Sequence, residues 1–188
     1  DGTYRVRIQE ATFGGSADHF FRLSFGELPL ITGLFPLNVP AGRKSEVQIF
    51  GANLPGEGRV QISAAEPGEH PLPEPAKSWR SRREWTVGVS AVPTPLEKEP
   101  NDSPAQANPV PVPVVVNGQL GSASSTESTG SAPGNEAAGD PDLFRFHARR
   151  GVTYVLETTA SQRGSLADTR IAVLRPDGKP LERVRLQA

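Results

Sequence analysis

The chain has 188 residues, 20 basic and 21 acidic side chains, a formal net charge of −1 and no cysteine. So even a balance leaves no cationic stripe to neutralise phosphates, which argues against a nucleic-acid partner. The missing cysteines exclude disulfides, thiolate catalysis and cysteine zinc sites, and no run of about 18 apolar residues is present to span a membrane.

The 19 glycines and 19 prolines fall mostly between short apolar runs. These residues punctuate strands and break helices, so the sequence predicts an all-β fold, and the length allows two or more small domains. The chain opens on Asp1 and contains no methionine. It is therefore expected to be part of a longer product, with any signal peptide upstream.

The first predicted element alternates: Tyr4, Val6 and Ile8 share one face and Arg5 and Arg7 the other, the pattern of a half-buried strand. A Gly14-Gly15 turn and a second alternating run, Phe21, Leu23 and Phe25, complete a predicted hairpin. A lone hairpin is marginal in water, so these strands need a larger sheet.

From Pro29 the character changes. Ile31 to Pro36 is apolar and Pro40-Ala41-Gly42 reads as a turn. Glu46 to Phe50 alternates with Val47 and Ile49 inward, and Gly51 to Gly56 is another turn cluster. Val60 to Ile62 and Trp85 to Val89 read as further strands, whereas Pro67, Pro71, Pro73 and Pro75 predict an extended loop.

Pro93 to Pro100 reads as a linker or domain entry. Val110 to Leu120 is apolar with Pro111 and Pro113 near its start, as an edge strand permits. Ser103 to Asn108 is the one short helical candidate. Gly121 to Gly139 has no large apolar side chain and is expected to be mobile, because it cannot offset its ordering entropy. Beyond it Phe144 and Phe146 alternate and Arg149-Arg150-Gly151 turns. Thr153 to Thr158 and Arg170 to Leu174 are predicted strands, Pro176-Asp177-Gly178-Lys179 a turn, and Val184 and Leu186 the start of one more strand.

Glu97-Lys98-Glu99-Pro100-Asn101-Asp102-Ser103-Pro104-Ala105-Gln106-Ala107 resembles the opening of a bacterial pre-peptidase C-terminal (PPC) domain. Gly118-Gln119-Leu120, Asp140-Pro141-Asp142-Leu143-Phe144-Arg145-Phe146, Arg150-Gly151 before Tyr154, and Asp177-Gly178 follow in that family's order. The resemblance covers residues 96–188. It implies a β-sandwich of jelly-roll type serving as an accessory module of exported proteins, and in bacterial collagenases a similar domain binds collagen and calcium. Two features depart from the family: the 121–139 insertion is long, and the chain stops before the final strands. Gly2-Thr3-Tyr4-Arg5-Val6-Arg7, Gly14-Gly15 and Phe21-Arg22-Leu23 look like those missing strands. Residues 1–28 thus read as the tail of a preceding PPC-like domain and residues 93–188 as a truncated one, an internal repeat cut out of phase. Between them, residues 29–92 are similar to an immunoglobulin-like IPT/TIG domain. Pro29-Leu30-Ile31-Thr32, Phe35-Pro36, Gly42 and Ile49 to Leu54 carry that likeness, although the usual glycine pair is reduced to Ala41-Gly42.

The sharpest candidate site is acidic. Glu97, Glu99 and Asn101 alternate along an extended stretch with Asp102 beside them, and Asp140 and Asp142 follow beyond the insertion. Calcium takes six to eight oxygen ligands in irregular geometry. Carboxylates folded together without a cation repel one another, so a divalent ion would tie the linker to the module. The alternative is a solvated acidic linker in which Asn101-Asp102 caps a turn. The resemblance to calcium-binding PPC modules gives calcium equal weight with this alternative.

His19, His70 and His147 are surrounded by no G-x-S-x-G elbow and no H-E-x-x-H, and they read as exposed or strand-edge residues. Trp79 and Trp85 with Arg80, Arg82 and Arg83 could form an aromatic and cationic patch for a glycan or peptide. The other reading places Trp85 in the core and Trp79 on a surface loop. The sequence as a whole predicts tandem β-sandwich modules, jelly-roll-like and immunoglobulin-like. The predicted role is a non-catalytic binding or spacing module, calcium-stabilised, in a larger secreted or cell-surface bacterial protein, with the periplasm as another location. Its expected partners are an extracellular protein or polysaccharide and other domains of the parent chain. The alternatives are a spacer without ligand, or part of a secreted hydrolase.

Overall fold

Val47 and Ile49 alternate with Gln48 and Phe50, and the alternation decides which side of their strand turns inward: the two aliphatic residues are buried while Phe50 stays exposed. The computed structural model describes residues 1–12, 14–121 and 141–181. In it, strands β1 (Leu30–Phe35), β2 (Asn38–Pro40), β3 (Ser45–Ala52), β4 (Arg59–Ile62), β5 (Gly68–Pro71), β6 (Arg80–Ser81) and β7 (Thr86–Ser90) form two sheets. One has the order β4-β3-β1-β6 and the other β2-β7-β5. The chain is all-β over these residues, and its only helical turns are short 3-10 segments at Ala76–Ser78 and Ser161–Arg163.

Both sheets feed one core. Val47, Ile49, Val60 and Ile62 come from the first sheet and Val39, Val87 and Val89 from the second, closed by Leu72, Ala76 and Trp85. β3 and β4 run antiparallel with Val47 opposite Val60, a cross-strand pair of branched side chains. In β1 the register against β3 slips between Ile31 and Gly33. Strict alternation would send Ile31 and Leu34 to opposite faces, and the bulge lets both be buried. In β7 the buried run Val87-Gly88-Val89 breaks alternation. Asn38, opposite Gly88 in the neighbouring strand, sets its side-chain amide where a Cβ on Gly88 would stand.

The proline-rich stretch is not all loop. Residues 68–71 form β5 at the edge of the second sheet, paired with β7. Pro71 ends that strand, and an edge tolerates the missing N–H.

Outside residues 30–90 the described chain carries few ladders. Two-residue strands β8 (Asn108–Pro109) and β9 (Phe144–Arg145) pair in parallel, and single bridges join Leu96 to Asn117 and Leu174 to Pro180. Five predicted elements differ from expectation. The Val110 to Leu120 edge strand is reduced to the single bridge at Asn117. The hairpin of residues 4–25 is not formed: Tyr4, Val6, Phe21 and Phe25 are exposed, and no strand lies among the described residues of 1–28. Among the described residues no strand pairs with them, and a hairpin without a larger sheet is marginal. Thr153 to Thr158 and Arg170 to Leu174 likewise form no strands, apart from the bridge that closes the 176–179 turn. Ser103 to Asn108 is a turn rather than a helix, closed by the Gln106 N–H on the Ser103 carbonyl and the Ser103 hydroxyl on the Gln106 side chain. A serine bonded to a residue three positions on offers the backbone such an alternative to helix. Residues 122–140, with the insertion, and the strand start at Val184 and Leu186 lie outside the described residues. No helix among the described residues is long and apolar enough to cross a membrane.

Candidate metal centre

Extended backbone at residues 95–99 is held from two sides. On one side the Asn117 N–H donates to the Pro95 carbonyl (3.0 Å) and the Glu97 N–H to the Asn117 carbonyl (3.0 Å). On the other, the Asn108 side chain takes both backbone groups of Lys98, accepting from its N–H (2.7 Å) and donating to its carbonyl (2.8 Å). With Lys98 clamped by its backbone, the flanking side chains Glu97 and Glu99 project to a common side, as period-two geometry requires.

A third strand brings the remaining acid. The Asn108 N–H donates to the Leu143 carbonyl, and the Leu143 N–H donates to the Asn101 carbonyl (3.1 Å). Asp142 is thereby delivered to the Glu pair. Carboxylate oxygens of Glu97, Glu99 and Asp142 all lie within 4.8 Å of one another. Among the described residues, neither Glu97 nor Glu99 forms an ion pair with a cationic side chain.

Asn101 is held beside these acids by its backbone. It is fully buried, and neither its amide oxygen nor its amide nitrogen has a hydrogen-bond partner. Its backbone N–H donates to Glu99 Oε2 (3.0 Å) and its carbonyl serves Leu143, so it sits between two of the three acids. Burying an amide unpaired is costly. Glu97 Oε2 is also buried without a partner, while Oε1 accepts from the Gln119 N–H.

The oxygen set suits a hard cation. Three carboxylates and an amide oxygen match calcium or magnesium rather than a soft metal, and they leave room for backbone or water ligands to reach six to eight. Glu97, Glu99, Asn101 and Asp142 are the residues that would hold it, and its chemistry there would be charge neutralisation and cross-linking.

The expected set is only partly assembled. Asp102 is exposed and does not join the carboxylate group, because the turn that begins at Ser103 carries it outward. Asp140 lies outside the described residues. The supporting residues Asn108, Asn117 and Gly118 carry no signal that spacing of acids reveals. A Cβ on Gly118 would lie 2.5 Å from Glu97 Oε2, so only glycine lets that carboxylate reach its place.

The centre is joined to the two-sheet core. The Asn117 side chain accepts from the Asn38 N–H (2.9 Å) and donates to the Asn38 carbonyl (3.1 Å). A second contact lies at Arg163, which pairs with Glu69 and donates to the Leu37 carbonyl (2.9 Å). Glu69 also accepts from the Thr86 hydroxyl (2.6 Å). Partial burial pushes the Glu69 pKa up, but the Thr86 hydroxyl and Arg163 outweigh burial and hold it below its ordinary value.

No histidine among the described residues belongs to the Glu97, Glu99 and Asp142 group. His19 Nδ1 lies 2.7 Å from Ser16 Oγ in an exposed turn, where the same hydroxyl accepts from the Asp18 N–H. His70 bonds the Glu66 carbonyl (2.8 Å) on the edge strand. Trp85 is buried in the core as expected, Trp79 packs half-buried against it, and the Arg83 guanidinium lies 5.6 Å from the Trp85 ring centroid. No family model, curated protein or solved structure matches this chain.

Proposed function

We propose that the chain is a non-catalytic accessory segment of an exported bacterial protein, a tandem of β-sandwich modules whose joint is stiffened by calcium. The reading takes residues 29–92 as an IPT/TIG-like sandwich and residues 93–188 as a PPC-like module, with residues 1–28 as the end of a preceding one. Its work is to hold neighbouring domains at a set spacing and orientation, and to present a surface to extracellular protein or polysaccharide.

One observation carries the proposal: Glu97, Glu99 and Asp142 converge beside the fully buried Asn101, whose side-chain amide has no hydrogen-bond partner. Such a cluster is unfavourable empty and favourable around a cation. It also lies one residue contact away from the two-sheet core, through Asn117 and Asn38. A cation there would therefore set the geometry between the segments rather than take part in a reaction.

Thermal melts in calcium, in magnesium and in chelator test this. An ion that binds the native state alone raises apparent stability with concentration. The expected result is a higher Tm in millimolar calcium than in chelator, with a saturable dependence. Superimposable curves in calcium and chelator would remove the metal from the account.

A further inference from the structure

β6 ends in the exposed run Ser81 to Glu84, which returns to the buried Trp85. This run and the 3-10 turn at Ala76–Ser78 border an open cleft of about 460 Å³. That size falls within the range of roughly 300–1,000 Å³ common for small-ligand sites. Ile31, Leu72 and Ala76 supply an apolar floor that belongs to the core. Trp79 and Trp85 both line it.

The polar complement of the cleft is one-sided. Lys77, Arg82 and Arg83 face the single carboxylate of Glu84. Among the described residues neither Lys77 nor Arg82 is engaged in an ion pair. Arg83 is fixed by its donation to the Gln162 carbonyl (3.1 Å) and by its seat over Trp85. The Ser81 hydroxyl is already donated to the Arg83 carbonyl. Trp85 is 9% exposed, and its indole Nε1–H is buried without an acceptor. Indole can only donate, so this group lacks an acceptor that a ligand or a small shift of the loop could provide.

Aromatic walls, surplus donors and surplus positive charge select for a particular chemistry. The ligand must offer acceptors, at least one negative charge and an apolar face. A pyranose carrying a carboxylate has all three: ring C–H groups for an indole, hydroxyl oxygens for N–H donors, and an anion for a guanidinium. We infer that this cleft binds an acidic saccharide, with Arg82 and Lys77 taking the carboxylate and Trp79 the sugar face. The inference does not depend on the metal centre, which lies on other residues.

The chain has two tryptophans and both line the cleft, so intrinsic fluorescence reads the site directly. Titration with a trigalacturonate should give a saturable emission change with a Kd of about 1 mM or tighter. A neutral trisaccharide of the same size, and the Arg82→Ala variant with the acidic one, should each bind at least about tenfold more weakly. Arg82 is exposed and makes no ion pair among the described residues, so its removal should leave the fold intact, and a matching melting curve verifies that. Trp79→Ala should abolish the response. Adding chelator should leave the titration unchanged, which separates this site from the proposed calcium joint. The inference is overturned if the acidic sugar gives no saturable change or the neutral sugar binds equally well. It is also overturned if an acidic hexapeptide binds more tightly, if Arg82→Ala has no effect, or if chelator abolishes binding.

Discussion

Replacing Glu97 by glutamine separates charge from shape at the acidic cluster. Glutamine keeps an oxygen to accept from the Gln119 N–H and the same reach past Gly118, but it removes one of three negative charges held within 4.8 Å. At that separation each pair of charges repels by about 0.9 kcal/mol in bulk water and about 3.5 kcal/mol at an effective dielectric of 20. Glu97→Gln deletes two such pairs. Glu99 is exposed, so screening favours the lower limit, and the metal-free protein should gain about 2 kcal/mol. For a chain of this length that is a rise in Tm of about 4–8 °C. In calcium the order should reverse in part. At a concentration one hundred times Kd the parent protein gains about 2.7 kcal/mol from binding, and the variant, lacking a ligand, gains little. Urea or thermal unfolding of both proteins, in chelator and in calcium, supplies the four stabilities. A variant that is less stable than the parent in chelator, or that responds to calcium as the parent does, would refute the account of these acids as a cation site.

Gly118→Ala should weaken calcium binding by about tenfold or more, read by titration calorimetry, because its Cβ would push Glu97 out of the cluster. Ile49→Ala, at a position 1% exposed in the core, should cost about 2–5 kcal/mol in urea unfolding. Glu69 has a depressed pKa, so its contribution is present above the unfolded value near pH 4.3 and is lost as pH falls through the lower folded value. Glu69→Gln should flatten that acid limb of the stability profile. Deleting residues 1–28 should reduce binding of an apolar dye, since Tyr4, Phe20, Phe21 and Phe25 are exposed there. Unchanged dye fluorescence would locate the apolar surface elsewhere.

The strands of residues 30–90 are legible in sequence because their apolar residues alternate and both sheets bury one face. Val47, Ile49, Val60 and Ile62 are core positions on that pattern alone. The bulge in β1 and the edge strand Gly68–Pro71 are not legible. The first is a register slip with no composition signal, and the second is masked by prolines that an edge position tolerates. Alternation at Tyr4 to Ile8 and Phe21 to Phe25 is not matched by a ladder. It reports a face suited to burial, but a ladder forms only where a neighbouring strand is present. At the acidic cluster Glu97, Glu99, Asn101 and Asp142 are legible as candidate oxygen ligands. The buried position of Asn101, the outward turn of Asp102 and the clamping by Asn108 depend on which strands lie side by side, which spacing does not encode.

Asn117 links the acidic cluster to the core more directly than any acid does. Its backbone holds residues 95–97 in register, so it fixes where Glu97 stands, and its side chain closes two hydrogen bonds on the backbone of Asn38. Asn38 is the strand residue whose side chain fills the space above Gly88 in the second sheet. A backbone shift at Glu97 would therefore strain a buried amide that is anchored in the core, or break its pair of bonds. The two arrangements differ by two hydrogen bonds, each worth about 0.5–1.5 kcal/mol net. Those bonds already favour the docked arrangement, and a cation bound only there would add to them. Stiffness at this joint is thus within reach of even weak calcium binding, because one buried asparagine carries the cluster's geometry into the sheet.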